Sequence, residues 1–436
     1  MFTTCVLKKK GTSQNQSSID HDASCEHLGL VQTDGMWLGR IVLEAIKLFA
    51  SWEGYVDEEN QDDMIQDEQN NPILLTNRLL GKSGIIPLLS RGVNQSLNDL
   101  IQLTSSVDRE RFRSGTICKA CLDTSHSEAT ALLSLVDNAS LLNESNRRLL
   151  CEEDPFSFEK QNKGLVYSLL NAAKGMHEIL STGDGLNLPD DSVEHLRDMS
   201  VLTLRTLNSI THENGTAAEQ MVAKNKIEPT DGDASFCGLN VVANLFYELE
   251  GASAESLYDS NHRFDAMNSC LISLTNIVGA AEMDVRKLIS ELEIPTEDES
   301  WLQWLCRWMI NQTGSFQDAI LGKDQKSEGD LHSKEEERLL AAGFACFLLA
   351  SLMVDPSDSD EFEDDEDSTE AIRKVVYKEM PLDRDDKNSG PALIINTLKA
   401  FCNLYHHTVG DLSVAVLTPA KKLIDALEKL PECEYK

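Results

Sequence analysis

Apolar segments of 12 to 20 residues follow one another along this chain from residue 74 onward, and their apolar side chains recur at three- and four-residue steps. Short polar breaks separate them, such as Asp154-Pro155, Gly183-Asp184-Gly185 and Thr230-Asp231-Gly232-Asp233. No run of alternating β-branched residues appears, so no segment has the period of a half-buried strand. A helix with one apolar face must bury it against another element, and here the only elements available are further helices. The predicted fold class is therefore all-α.

The segments also resemble one another. Residues 131–150, ALLSLVDNASLLNESNRRLL, align without a gap to residues 270–289, CLISLTNIVGAAEMDVRKLI, sharing Leu132/Leu271, Ser134/Ser273, Leu135/Leu274, Arg147/Arg286 and Leu149/Leu288. Comparable helix starts are read at Leu132, Leu165, Leu202, Leu239, Leu271, Leu305 and Leu340, at steps of 33, 37, 37, 32, 34 and 35 residues. The next, Leu393, lies 53 residues on, and the acidic insertion before it accounts for the excess. A period just short of the roughly 40–47 residues of HEAT and armadillo units predicts an α-solenoid of such repeats, with one continuous core. Two features fit that arrangement. The run at residues 339–354, LLAAGFACFLLASLMV, is shorter than the roughly 20 residues that span a bilayer and has acidic flanks, so it is read as a helix covered by neighbours on both faces. Trp301, Trp304, Leu305 and Trp308 share one helix face and are read as core.

Composition narrows the function. With 39 Lys+Arg against 73 Asp+Glu, the net charge of −34 opposes direct binding to DNA, whose affinity comes largely from neutralised phosphates. At 41% hydrophobic the chain carries enough apolar material for a large core. No secretory leader pattern is read at the N-terminus, and the eleven cysteines, odd in number and several of them within apolar runs, are expected to be reduced and buried. The sequon at Asn214 is then a chance match. Lys8, Lys9 and Lys10 form a minimal match to a nuclear import signal, though three lysines near a terminus are more often just solvated.

Motifs for chemistry fail one by one. Gly81-Lys82-Ser83 resembles the end of a phosphate loop, but Thr76 stands where its first glycine belongs and no strand precedes it. Cys118 and Cys121 form a CxxC with His126 beyond, yet no second ligand pair lies at a zinc-finger distance. No metalloprotease, hydrolase or dinucleotide motif occurs, so neither an enzyme nor a cofactor or metal is expected. The acidic run at residues 355–370, DPSDSDEFEDDEDSTE, reads as a solvated insertion, or as a lure for a basic partner or a phosphorylation site at Ser357. A second acidic stretch lies near residues 57–71, and residues 1–32 are polar, aperiodic and expected to be a disordered tail.

Three segments carry a resemblance. LVDNASLLNESNRRLL (residues 135–150), LRTLNSITHENG (204–215) and CLISLTNIVGAAEMDVRKLI (270–289) resemble repeats of the Wapl (wings apart-like) family, in which a Leu-rich helix ends in an Asn-Leu-Thr-His-Asp-Asn type sequence followed by Asn-Arg and an apolar residue. Residues 393–430 are similar to the last two helices of that domain, and together the matches cover roughly residues 75–432. Ser209 and Ile210 depart from the pattern, and the Phe-Gly-Phe motifs of long animal members do not occur. The resemblance implies a Wapl-like helical-repeat domain over residues 33–436. It also implies a non-enzymatic, nuclear factor that binds cohesin ring subunits (ATPase head and kleisin) and their helical-repeat accessory subunits, favours opening of the head/kleisin gate, and reaches chromatin without direct nucleic-acid or membrane contact. The candidate contact residues, at the turns of the matched repeats, are Arg147, Arg205, His212, Glu213, Asn214 and Arg286. The alternative is an armadillo/HEAT-type adaptor whose groove takes a basic peptide, in transport or trafficking; the crowding of three of five Trp into one helix argues against it.

Overall fold

The structure, a computed structural model, describes residues 86–104, 119–140, 143–152, 164–181, 188, 190–223, 237–251, 257–280, 285–294, 299–313, 333–354, 365–380, 390–409 and 414–430. Fourteen α-helices occupy them: α1 (Ile86–Thr104), α2 (Lys119–Ser140), α3 (Glu144–Cys151), α4 (Leu165–Ser181), α5 (Asp190–Thr211), α6 (Gly215–Val222), α7 (Gly238–Glu250), α8 (Ser260–Ala280), α9 (Val285–Ser290), α10 (Trp301–Thr313), α11 (Ser333–Met353), α12 (Asp365–Glu379), α13 (Gly390–Val409) and α14 (Val414–Leu427). Among the described residues there is no strand beyond one isolated bridge between Glu293 and Ser300. The all-α expectation holds.

A unit of long, short and medium helix occurs three times in succession. Its helices have 22, 8 and 17 residues in α2–α3–α4, 22, 8 and 13 in α5–α6–α7, and 21, 6 and 13 in α8–α9–α10. The long helices pack in one row, α2 on α5, α5 on α8, α8 on α11 and α11 on α13. Beside it α1 packs on α4 and α4 on α7. This corrects the period. Leu132, Leu202, Leu271 and Leu340 lie within the long helices, and Leu165, Leu239 and Leu305 on the medium ones, so each sequence step advances one major helix, and like meets like about every 70 residues. Leucine spacing alone cannot tell the two helix types apart, because both bury the same residue.

One buried cluster runs from Ile86 to Leu427 through every helix. Within α11, Ala342, Ala345, Cys346, Leu348, Leu349, Ala350, Leu352 and Met353 are all fully buried, since α8, α10, α12, α13 and α14 pack round this one helix. No described helix is long and apolar enough to cross a membrane, so the all-round apolar run is a helix enclosed by helices. Its close approach to α13 is set by Gly343, where a Cβ would lie 2.6 Å from the Phe401 Cβ. Trp301 and Trp308 are buried, as expected of core, and Trp304 is partly so; all three stand edge-on to Phe246 of α7. The Trp301 indole N–H donates to the Ala243 carbonyl at 3.0 Å.

Residues 1–32 and 57–71, the predicted helix around Trp37–Phe49, the Gly81-Lys82-Ser83 segment, Cys118 and residues 355–364 lie outside the described residues, and of Cys121 only its place in α2 is described. The end of the acidic run differs from expectation: residues 365–370 open α12, whose Thr369 and Ile372 are buried. Acidic residues at a helix start face the positive end of its dipole, so this composition suits a helix N-terminus as well as a loop.

Candidate partner-binding surface

The three resembling segments each straddle the end of a long helix and the start of the short one after it. Asn143 and Asn214 hold the same place, one before α3 and the other before α6. Each is extended and caps its helix: Asn143 Oδ1 accepts from the Asn146 N–H at 3.0 Å, and Asn214 Oδ1 from the Ala217 N–H at 3.4 Å. Asn214 Nδ2 also donates to the Ile210 carbonyl at 3.0 Å, and lies 3.5 Å from Cys151 Sγ in the preceding unit. Between α5 and this cap the chain turns through His212 and Glu213, and Glu213 takes φ 48°, the left-handed conformation that ends many helices. Reversing so tightly carries the chain from one helix into the next within three residues.

Arg147 and Arg286 prove to be buried ties. The Arg147 guanidinium, 6% exposed, donates through Nη1 to the Ser140 carbonyl at the end of α2 at 3.2 Å, and its Nη2 lies 3.9 Å from the exposed Glu213 carboxylate. Burial lowers its pKa from the ordinary value, against the charges of Glu213 and Glu144. Arg286 Nη2 donates to the Ser351 and Val354 carbonyls at 3.1 and 3.2 Å, closing the end of α11 in the next unit. Cationic donors suit these positions because the last carbonyls of a helix lack internal partners and carry its negative dipole end. Of the six candidates, Arg147, Asn214 and Arg286 are thus inside the packing. Arg205, His212 and Glu213 are exposed, with Arg205 held by Asp137 of α2 at 3.4 Å. Ser209 also bonds Asp137, Ser273 bonds Asn208, and Asn276 Nδ2 donates to the Asn208 carbonyl at 3.1 Å, so polar side chains tie α2 to α5 and α5 to α8.

Toward the other end of the long helices lies a histidine group that local sequence spacing did not reveal. His126 of α2 stacks on His195 of α5 with ring centroids 4.0 Å apart. His262 of α8 reaches Asp198 of α5 with Nε2 at 2.8 Å and Asp259 with Nδ1 at 2.6 Å. His126, His195 and His262 stand about 70 residues apart, so the corrected period was the signal that could have found them. Burial, then the His195 charge, lowers the His126 pKa, while Asp198 and Asp123 oppose. Burial also pushes His262 down, but its hydrogen bonds and charge contacts with Asp198 and Asp259 prevail and hold it above the ordinary 6.5. Glu194, Asp259 and His262 are close enough to share a cation. Both ring nitrogens of His262 already face carboxylates, and Glu194 pairs with Arg197 at 3.2 Å, so the trio forms an ion-pair network.

Cys151, Cys237, Cys270, Cys306, Cys346 and Cys402 are buried thiols without disulfides, and burial pushes Cys151 and Cys346 up to about 12, where a thiol is inert. No family model matches the chain, and no curated protein matches it.

Proposed function

We propose that this chain is a Wapl-like regulator of cohesin, a nuclear protein built as an α-solenoid of armadillo-like units that acts through protein surfaces. What supports it is that the three resembling segments hold the same place in the fold, each spanning the end of a long helix and the start of the short one after it. Such a factor promotes release without an active site. It binds the open state of the ring's head/kleisin gate better than the closed one, and shifts the equilibrium by that differential affinity. Its partners are the cohesin ring subunits and their helical-repeat accessory subunits. The exposed corner residues Arg205, His212 and Glu213 are the contacts to test first.

Immunoprecipitation of the chain from nuclear extract is expected to recover cohesin subunits. Arg205→Gln is expected to weaken recovery at least several-fold with a nearly unchanged melting temperature, since Arg205 is 70% exposed and Asp137 keeps its bond to Ser209. Absence of cohesin from the precipitate contradicts the proposal. A second reading, the adaptor for a basic peptide, is favoured by the carboxylates of Glu194, Asp198 and Asp259, which are exposed where α5 meets α8. It predicts salt-sensitive binding of an arginine- and lysine-rich peptide and no cohesin in the precipitate.

A further inference from the structure

We propose that His262 is a proton-operated joint between the second and third helical units, fastening the start of α8 to α5 when charged and releasing it when neutral. The geometry is that of a bridge. Asp259 caps α8, its Oδ1 accepting from the Asn261 and His262 N–H groups at 2.9 Å each, and its Oδ2 meets His262 Nδ1. The other ring nitrogen crosses to Asp198 on α5. Two carboxylates accept and cannot donate, so the ring satisfies both only as imidazolium, with an N–H at each nitrogen. Neutral imidazole carries one N–H and leaves a lone pair against the other carboxylate.

The surroundings reinforce this dependence. From α5, Glu194 lies within the same cluster and is paired there by Arg197, which also donates to the Leu257 carbonyl and offsets one of the cluster's carboxylates. On α8 itself Asp265 lies within electrostatic range of His262, Asp259 and Arg205. The acidic groups of α7 are engaged elsewhere, Glu248 with His177 and Glu250 with Arg263. On the α2 side, His126 and Asp123 act on the network through Asp198 and His195. The balance of these groups is negative, which favours the charged ring. A histidine whose folded-state pKa is raised gives stability that is fully present below its unfolded value near 6.5 and is lost as pH rises through the folded value. Each unit of difference between the two is on the order of tenfold in the folding equilibrium. His126, lowered instead, acts with the opposite sign on the acid side of 6.5, so the test compares proteins that both retain it.

The experiment is urea denaturation of the full chain and of His262→Gln between about pH 5.5 and 8.5, with a histidine-ring NMR titration of the wild type. The wild type is expected to exceed His262→Gln in stability at the acid end by up to about tenfold in the folding equilibrium, and to lose that advantage as pH rises, with Asp198→Asn abolishing most of the same step. The His262 ring is expected to titrate above 6.5, in parallel with falling protection of the Asn261 and His262 amides. A stability difference that is flat with pH overturns the proposal. So does a ring that titrates at or below 6.5, which the wild type reports even where a variant fails to fold.

Discussion

Glu213 is the described non-glycine residue that adopts a left-handed backbone, and it does so where α5 must hand over to α6. Glycine adopts that conformation without the Cβ cost, which for other residues is about 1 kcal/mol, and the Glu213 pair with Arg147 at 3.9 Å is too exposed to offset it. Glu213→Gly is therefore expected to keep or raise the melting temperature, and Glu213→Val to lower it, in thermal unfolding followed by circular dichroism. Asn214→Ala removes a cap and is expected to cost about 1 kcal/mol. Arg286→Ala strips the Ser351 and Val354 carbonyls of a charged donor inside the packing, and is expected to cost about 2–3 kcal/mol in urea denaturation. Asn214 was legible in sequence as a residue at a helix turn, but it is a buried cap and not an exposed contact. The burial of Arg147 and Arg286 was not legible, since the carbonyls they serve are brought to them only by packing.

At the scale of elements, the helices were legible from apolar spacing, and α11 from its all-round apolar character. The pairing of helices was not legible, because leucine steps of 32 to 37 residues register every major helix alike. What distinguishes the long row is polar: Asp137, Asn208, Ser209, Ser273 and Asn276 bond one long helix to the next. Such ties are invisible until the 70-residue unit places them side by side. Where two helices meet through a glycine, the fit is tight. Gly343→Val drives a side chain into Phe401 and is expected to destabilise by about 1–3 kcal/mol or to prevent α13 from docking. Gly279→Ala near the end of α8 meets nothing within 4 Å and is expected to stabilise by up to about 1 kcal/mol through helix propensity. Opposite signs for two helical glycines check the packing of α11 on α13 directly.

Among the described residues one continuous core links α1 to α14, so the surface groups of each unit stand on a shared packed interior. The net charge of −34 sits on a chain in which Arg147 and Arg286 are buried at helix joints, and an excess of carboxylates of this size opposes contact with bare DNA. The histidine group adds a dependence on proton concentration where α5 meets α8, a property that charge totals do not reveal. We propose that this helical array acts on cohesin. Fluorescence recovery of tagged cohesin on chromatin, with and without the protein, tests it most directly. Depletion is expected to lengthen the residence time, and re-expression of the chain to restore it. An unchanged residence time on depletion contradicts the account.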